Sequence, residues 1–170
     1  MPKMPTPDTI DEQRRLLMVG AGAMIAAGAF GASGATAAKP KAALRSGYAP
    51  VDGLRVYYEL HGPPLSSGKP PVVLLHGGMM AIDTAFSKDL LPRLARKRSV
   101  IAIEQQGHGH TADRNGPTEL DRMVDDTAGV LAHLKVRDAH FVGHSMGGMI
   151  TLGMAVRHPR LVRTATAIST

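Results

Sequence analysis

AHFVGHSMGGMITLGMAVRH, Ala139 to His158, is the stretch that decides how this chain folds. A short apolar run, Ala139 to Val142, meets Gly143-His144-Ser145-Met146-Gly147, and an apolar segment punctuated by glycine follows. Strand, tight turn and buried helix, in that order, form the context in which G-x-S-x-G sets a nucleophile on a sharp turn. The spacing has a steric reason. A serine at the tip of so tight a turn takes a strained backbone, and small residues two before and two after it let strand and helix close. Ser145 then stands at the end of a strand, beside a helix N-terminus whose free N–H groups and dipole favour developing negative charge. As a bare pattern G-x-S-x-G is also a common turn composition, so its meaning depends on the rest of the chain.

The decisive companion is Pro71 to Gly78, PVVLLHGG. Val72 to Leu75 are four consecutive apolar residues, the pattern of a parallel strand buried on both faces, and His76-Gly77-Gly78 follows where such a strand ends. With both motifs in hand, the chain from about Tyr48 to Thr170 resembles the α/β-hydrolase superfamily. In that family an HG or HGG after the third strand supplies one backbone N–H of an oxyanion hole, and the residue after the nucleophile supplies the other. The resemblance therefore implies Ser145 as nucleophile and the N–H groups of Gly78 and Met146 as donors, with Met79 as the alternative to Gly78. His76, Gly77, Gly143, His144 and Gly147 complete the two motifs. The implied fold class is α/β: an N-terminal antiparallel hairpin, then parallel strands with flanking helices, ending at about the sixth strand of an incomplete α/β-hydrolase fold.

The bulk numbers exclude several other classes. The formal net charge is +6, but Lys and Arg are scattered and aromatic residues make up 4% of the 170 residues, so no basic stripe with interleaved aromatics marks a nucleic-acid surface. Without cysteine there is no disulfide framework, thiolate nucleophile or cysteine metal site. His108-x-His110 has the look of a metal pair, but no third ligand is spaced nearby, so neither a metal nor a cofactor is expected.

The N-terminal residues read as a targeting segment. Arg14-Arg15 precede an uncharged, Ala- and Gly-rich stretch from Leu16 to Ala38, and Ala35-Thr36-Ala37 offers a small-x-small cleavage site. Paired arginines point to the twin-arginine route, with residues 1–37 as signal peptide, 38–46 as linker and 47–170 as the hydrolase-like domain. The expectation is a periplasmic or secreted product. The alternative is an uncleaved anchor in the cytoplasmic membrane, since ~20 apolar residues span a bilayer.

Within the domain, Tyr48 to Val51 and Leu54 to Leu60 flank Asp52-Gly53 and predict a hairpin. Met79 to Thr84 is expected to pass over the site, and Phe86 to Arg96 to form a helix interrupted by Pro92. Ser99 to Ile103 is a strand running into Glu104-Gln105-Gln106-Gly107-His108-Gly109-His110-Thr111. That loop resembles the family's D-x-R-G-x-G-x-S segment with Glu104, Gln106 and Thr111 substituted, and its expected contribution is backbone shape. Thr118 is the expected N-cap of a helix whose apolar face carries Leu120, Met123, Val124, Thr127, Leu131 and Leu134, with Arg122, Asp125 and Asp126 on the solvated side. His133 and His140 are expected on the surface or in loops. The helix after Ser145, apolar nearly all round, is expected in the middle of the domain. It ends at His158-Pro159, and Arg163 to Ile168 is the last strand.

The chemistry implied is acyl transfer on a small ester-like substrate. Serine at the elbow disfavours the aspartate branches, epoxide hydrolases and haloalkane dehalogenases, while C–C bond hydrolases and cofactor-free haloperoxidases share the local motif. In this fold the acid and then the histidine follow the serine. Residues 146–170 hold no Asp or Glu, and their one histidine, His158, lies along the following helix, about 20 Å away at ~1.5 Å per residue. The chain is accordingly read as the N-terminal portion of a serine hydrolase, inactive alone, with a non-catalytic remnant or binding domain as the alternative. An open edge at Ala165 to Ile168 is expected to promote self-association. A stand-in base from His108 or His110, oriented by Glu104, is the one arrangement that would restore a complete set.

Overall fold

A computed structural model describes residues 45–86 and 88–170. The signal-peptide reading and most of the linker therefore lie outside the described residues. Six strands form one mixed sheet: β1 Arg45–Val51, β2 Leu54–His61, β3 Val72–Leu75, β4 Val100–Ile103, β5 Ala139–His144 and β6 Val162–Ile168. Their spatial order is β1-β2-β4-β3-β5-β6. β1, β2 and β4 pair antiparallel, whereas β4, β3, β5 and β6 run parallel. Arg45 and Ser46, expected in the linker, already belong to β1, opposite Leu60 and Glu59. The hairpin turns at Asp52 and Gly53 with φ of 43° and 76°, positive at both central residues as a type I′ turn requires.

Among the described residues four α-helices connect the strands: α1 Ile82–Ala85, α2 Leu90–Ala95, α3 Leu120–His133 and α4 Met146–Arg157. β3 and β4 are buried along their whole length, and alternate side chains feed two cores. Val73, Leu75, Ile101, Ile103 and Phe141 meet Val124, Leu131, Ile150 and Met154 beneath α3 and α4. On the other face Leu74, Val100 and Ala102 meet Tyr57, Ile82, Phe86 and Leu91.

Several expectations change. Of the helix expected from Phe86 to Arg96 only Leu90–Ala95, α2, is helical; the short α1 falls earlier, in the segment expected to pass over the site, and buried Phe86 closes it. Pro92 does not interrupt anything, because it sits in the first turn of α2, where a missing N–H leaves no intrahelical bond unmade. Thr118 does not cap α3. Glu119 takes that place, with no side-chain cap, and its carbonyl accepts the Met123 N–H. Asp126, expected in water, is buried. The helix α4 is buried on one face only: Met149, Leu152 and Val156 are exposed, as is the outer strand β6 from Arg163 onward. His140 lies within β5, its Nδ1 2.9 Å from Thr164 Oγ1.

Candidate active site

β3 and β5 are adjacent parallel strands, with Leu75 opposite Gly143, so the chain segments leaving their C-terminal ends emerge side by side. His76-Gly77-Gly78 leaves one and His144-Ser145 the other. The contact is close: a Cβ built on Gly77 would stand 2.9 Å from His144 Nδ1 and 3.4 Å from Ser145 Cβ.

Ser145 has φ 51° and ψ −118°, a conformation that costs a non-glycine residue on the order of 1–3 kcal/mol. Three backbone hydrogen bonds hold it there. Its N–H donates to Ile168 O at 2.8 Å, and its carbonyl accepts from Gly148 N–H at 2.8 Å and Met149 N–H at 3.1 Å. The flanking glycines permit the closure. A Cβ on Gly143 would overlap the Gly147 carbonyl, and one on Gly147 would overlap the carbonyls of Leu75 and His76. Ser145 is the N-cap of α4, which places the Met146 amide in the first turn, among the N–H groups that have no intrahelical acceptor.

The loop facing it is braced by two histidines. His76 is fully buried; its Nδ1–H donates to Gly77 O at 2.8 Å, and its Nε2 accepts from Gln105 N–H at 3.0 Å. His108 repeats the pattern one layer out, donating from Nδ1 to Gln106 O at 2.8 Å and accepting the Met79 N–H at Nε2, 3.2 Å away. The two rings lie 5.0 Å apart. Met79, expected as the alternative to Gly78 as oxyanion donor, has its amide engaged; its backbone is left-handed with φ 59° and its side chain is fully exposed.

Burial depresses the His76 pKa below 6.5, with the nearby His108 adding to the effect. The neutral ring is the folded form, so the sign is fixed. Below about pH 6.5 the unfolded chain takes up a proton that the fold resists, and stability falls with decreasing pH until the depressed folded value is passed. Thermal melts from pH 7.5 down to 5 should show this loss, and a smaller one in His76→Gln; identical slopes would remove His76 as the cause.

The loop after β4 is more than shape. Glu104 is buried, and its carboxylate accepts the His110 N–H, meets His110 Nδ1 at 3.0 Å and lies 3.4 Å from the Ile82 N–H. Thr111 Oγ1 donates to Glu104 O and accepts the Tyr57 N–H, stitching loop to strand. His110 stacks on Tyr57 at 4.3 Å. Tyr57 belongs to β2, three strand spacings from β5, about 14 Å at ~4.8 Å each. Glu104 directly continues β4, two strand spacings from β5, and His110 leans from it toward β2, away from the strand that carries Ser145; His108 has both ring nitrogens committed. Neither is placed as a free base beside Ser145. His158 is bonded to Asp125 Oδ1 at 2.8 Å, at the other end of α4. Among the described residues no group of three or more His, Cys, Asp or Glu is arranged to hold a metal ion.

One feature of this end of the molecule was not legible beforehand. Arg114 reaches Asp126 with both Nη atoms at 2.7 Å, and also Val51 O and Gln106 Oε1, tying the loop to α3 and the hairpin. Arg114 sits in a loop that carries no helical or strand period, so no pattern flagged it.

The family model described as "alpha/beta hydrolase fold" matches residues 70–170. The chain belongs to the α/β-hydrolase family. It is 34% identical over 114 residues to a putative carbamate hydrolase, RutD, of Azorhizobium caulinodans, an alignment covering 67% of this chain and 40% of that protein. A non-heme haloperoxidase of Rhodococcus erythropolis is 34% identical over 107 residues, covering 63% of this chain and 37% of the relative. Among solved structures, Est816, described as an N-acyl homoserine lactone degrading enzyme, superimposes with a TM-score of 0.64 at 30% identity, over 72% of this chain and 44% of its own. The chain thus spans less than half the length of these α/β-hydrolase relatives.

Proposed function

We propose that Ser145 is the nucleophile of a serine hydrolase of esterase type, acting by acyl transfer on a small carbonyl substrate. The observation that carries this reading is the backbone of Ser145 itself. A non-glycine residue held at φ 51° between a strand and a helix, with Gly143 and Gly147 closed around it, is strain that a plain turn has no reason to keep. In the proposed step Ser145 Oγ attacks the carbonyl carbon, its proton passes to a base, and the oxyanion is held by backbone amides. The leaving group then departs with a proton, and water repeats the sequence on the acyl-enzyme. The amide donors are those of Gly78 and Met146. That Met79 N–H is already held by His108 favours Gly78 over Met79.

Residues 146–170 supply neither an acid nor a base in the fold's order. On this reading the 170-residue chain hydrolyses p-nitrophenyl acetate and butyrate no faster than Ser145→Ala or His108→Ala/His110→Ala. Adding imidazole as an external base is expected to produce an excess rate over the Ser145→Ala background, because the oxyanion donors stay in place. An imidazole-dependent rate that is the same in the parent and in Ser145→Ala at every imidazole concentration counts against Ser145 as nucleophile. Turnover without imidazole that disappears in the double-histidine variant would make the loop histidines the base.

A further inference from the structure

The opposite end of the parallel strands holds a second cleft, of about 410 Å³, far from Ser145. Pro70 and Pro71 lead into β3, Asp138 precedes β5 and Arg163 lies at the start of β6, so the cleft opens at the N-terminal ends of these strands. β5 alone separates it from the elbow by six residues, about 20 Å at ~3.3 Å per residue.

Leu65, Pro70, Pro71 and Val136 give the cleft apolar walls, and Lys69, Lys135, Arg137 and Arg163 bring four cations to it. Asp138 is the one acidic residue in its lining, and Arg163 holds both of its oxygens, Nε at 2.7 Å and Nη2 at 3.3 Å. Lys69, Lys135 and Arg137 form no ion pair within 4 Å among the described residues, although Arg137 is near enough to help Arg163 hold the Asp138 pKa down. Like charges gathered between low-dielectric walls repel one another and focus a positive potential on the space between them.

Lys135 adds a second, independent observation. The end of α3 is a Schellman turn: Val136 N–H donates to Leu131 O at 2.9 Å and Lys135 N–H to Ala132 O at 3.0 Å. The residue after the C-cap of such a turn is left-handed and is ordinarily glycine, yet here it is a lysine with φ 55°. A left-handed residue and a charge with no ion pair among the described residues coincide at one position lining one cleft.

We propose that this cleft is a binding site for a phosphate-class anion. Lysine ammonium groups and the Arg137 fork, which makes no hydrogen bond among the described residues, suit a compact, multiply charged oxyanion better than a neutral ligand. The proposal does not depend on the role of Ser145.

The experiment is calorimetric titration of the 170-residue chain with inorganic pyrophosphate at low ionic strength. Alongside it runs flotation with phosphatidylcholine vesicles containing phosphatidylglycerol. Each is repeated for Lys135→Gly, for Lys69→Gln/Arg137→Gln and for Arg122→Gln, whose exposed pair with Asp52 lies elsewhere. Saturable binding should weaken about tenfold or more in the first two and hold in the third, which loses the same charge as Lys135→Gly. Lys135→Gly should meanwhile melt about 3 °C higher, because glycine relieves the left-handed strain. Loss of binding with a gain in stability separates a ligand site from a structural lysine. Pyrophosphate binding without flotation assigns the site to a soluble phosphate, and flotation lost in the same variants assigns it to a lipid headgroup. Equal effects in all three variants, or no binding in either arm, overturn the proposal.

Discussion

Gly147→Ala is expected to abolish cooperative folding, with a cost above about 4 kcal/mol. A methyl group there would overlap the carbonyls of Leu75 and His76. Those atoms cannot yield, because β3 is hydrogen-bonded on both sides, to β4 and to β5. A side-chain tip can rotate away from an intruding methyl, but the centre of a sheet moves only by breaking its ladder. Gly78→Ala is the control: nothing lies within 4 Å of the added Cβ, so its stability should stay within about 0.5 kcal/mol of the parent. Urea unfolding followed by circular dichroism compares the two. A Gly147→Ala chain with the parental midpoint would show that the strand and helix are not closed around the elbow as described.

Arg114→Met should cost about 3–5 kcal/mol, because it strands a buried carboxylate. The Arg114 and Asp126 side chains are 8% and 5% exposed, and their two contacts of 2.7 Å form a bidentate fork. Those hydrogen bonds raise the guanidinium pKa above its ordinary value, so Arg114 stays charged. Within the pair, Arg114 Nε is buried without a hydrogen-bond partner, a cost already present in the parent. Removing both charges is a different matter. Arg114→Met/Asp126→Leu should recover most of the loss, since the desolvation of two ions disappears together with their attraction. Chemical denaturation of the single and double variants measures the coupling; a double variant as unstable as the sum of the singles would mean that the ion pair is not the cause.

Both predictions concern contacts between segments distant in sequence, and the two differ in how much could be read beforehand. The Gly147 effect was legible in kind: G-x-S-x-G demands small residues two before and two after the serine, whatever they happen to touch. The Arg114 effect was not. On a helical wheel Asp126 stands beside Asp125 and Arg122 and reads as solvated, and only the return of the loop after β4 places a guanidinium over it.

The strands follow the same division. Val72–Leu75 and Val100–Ile103 are uninterrupted apolar runs, and such runs have few other places to go than the interior of a parallel sheet. Asp52-Gly53 fixes the hairpin because both central residues of that turn need positive φ. At α2 the sequence misleads, because a proline tolerated in a first turn looks, in one dimension, like a proline that breaks a helix.

By itself, then, the sequence determined the family, the sheet's parallel centre and the position of Ser145, because each rests on local sterics or on a period that neighbours in the chain can express. Tertiary structure decided the rest. It committed both ring nitrogens of His108, one of them to the Met79 amide, and held His110 between Glu104 and Tyr57 of β2. It also buried Asp126 under Arg114 and gathered Lys69, Lys135, Arg137 and Arg163 around one cleft. The physical reason is common to all of these. A side chain's partner is fixed by which strands lie side by side, and the crossover that puts β3 between β4 and β5 is a property of the packed sheet that no stretch of the chain expresses alone.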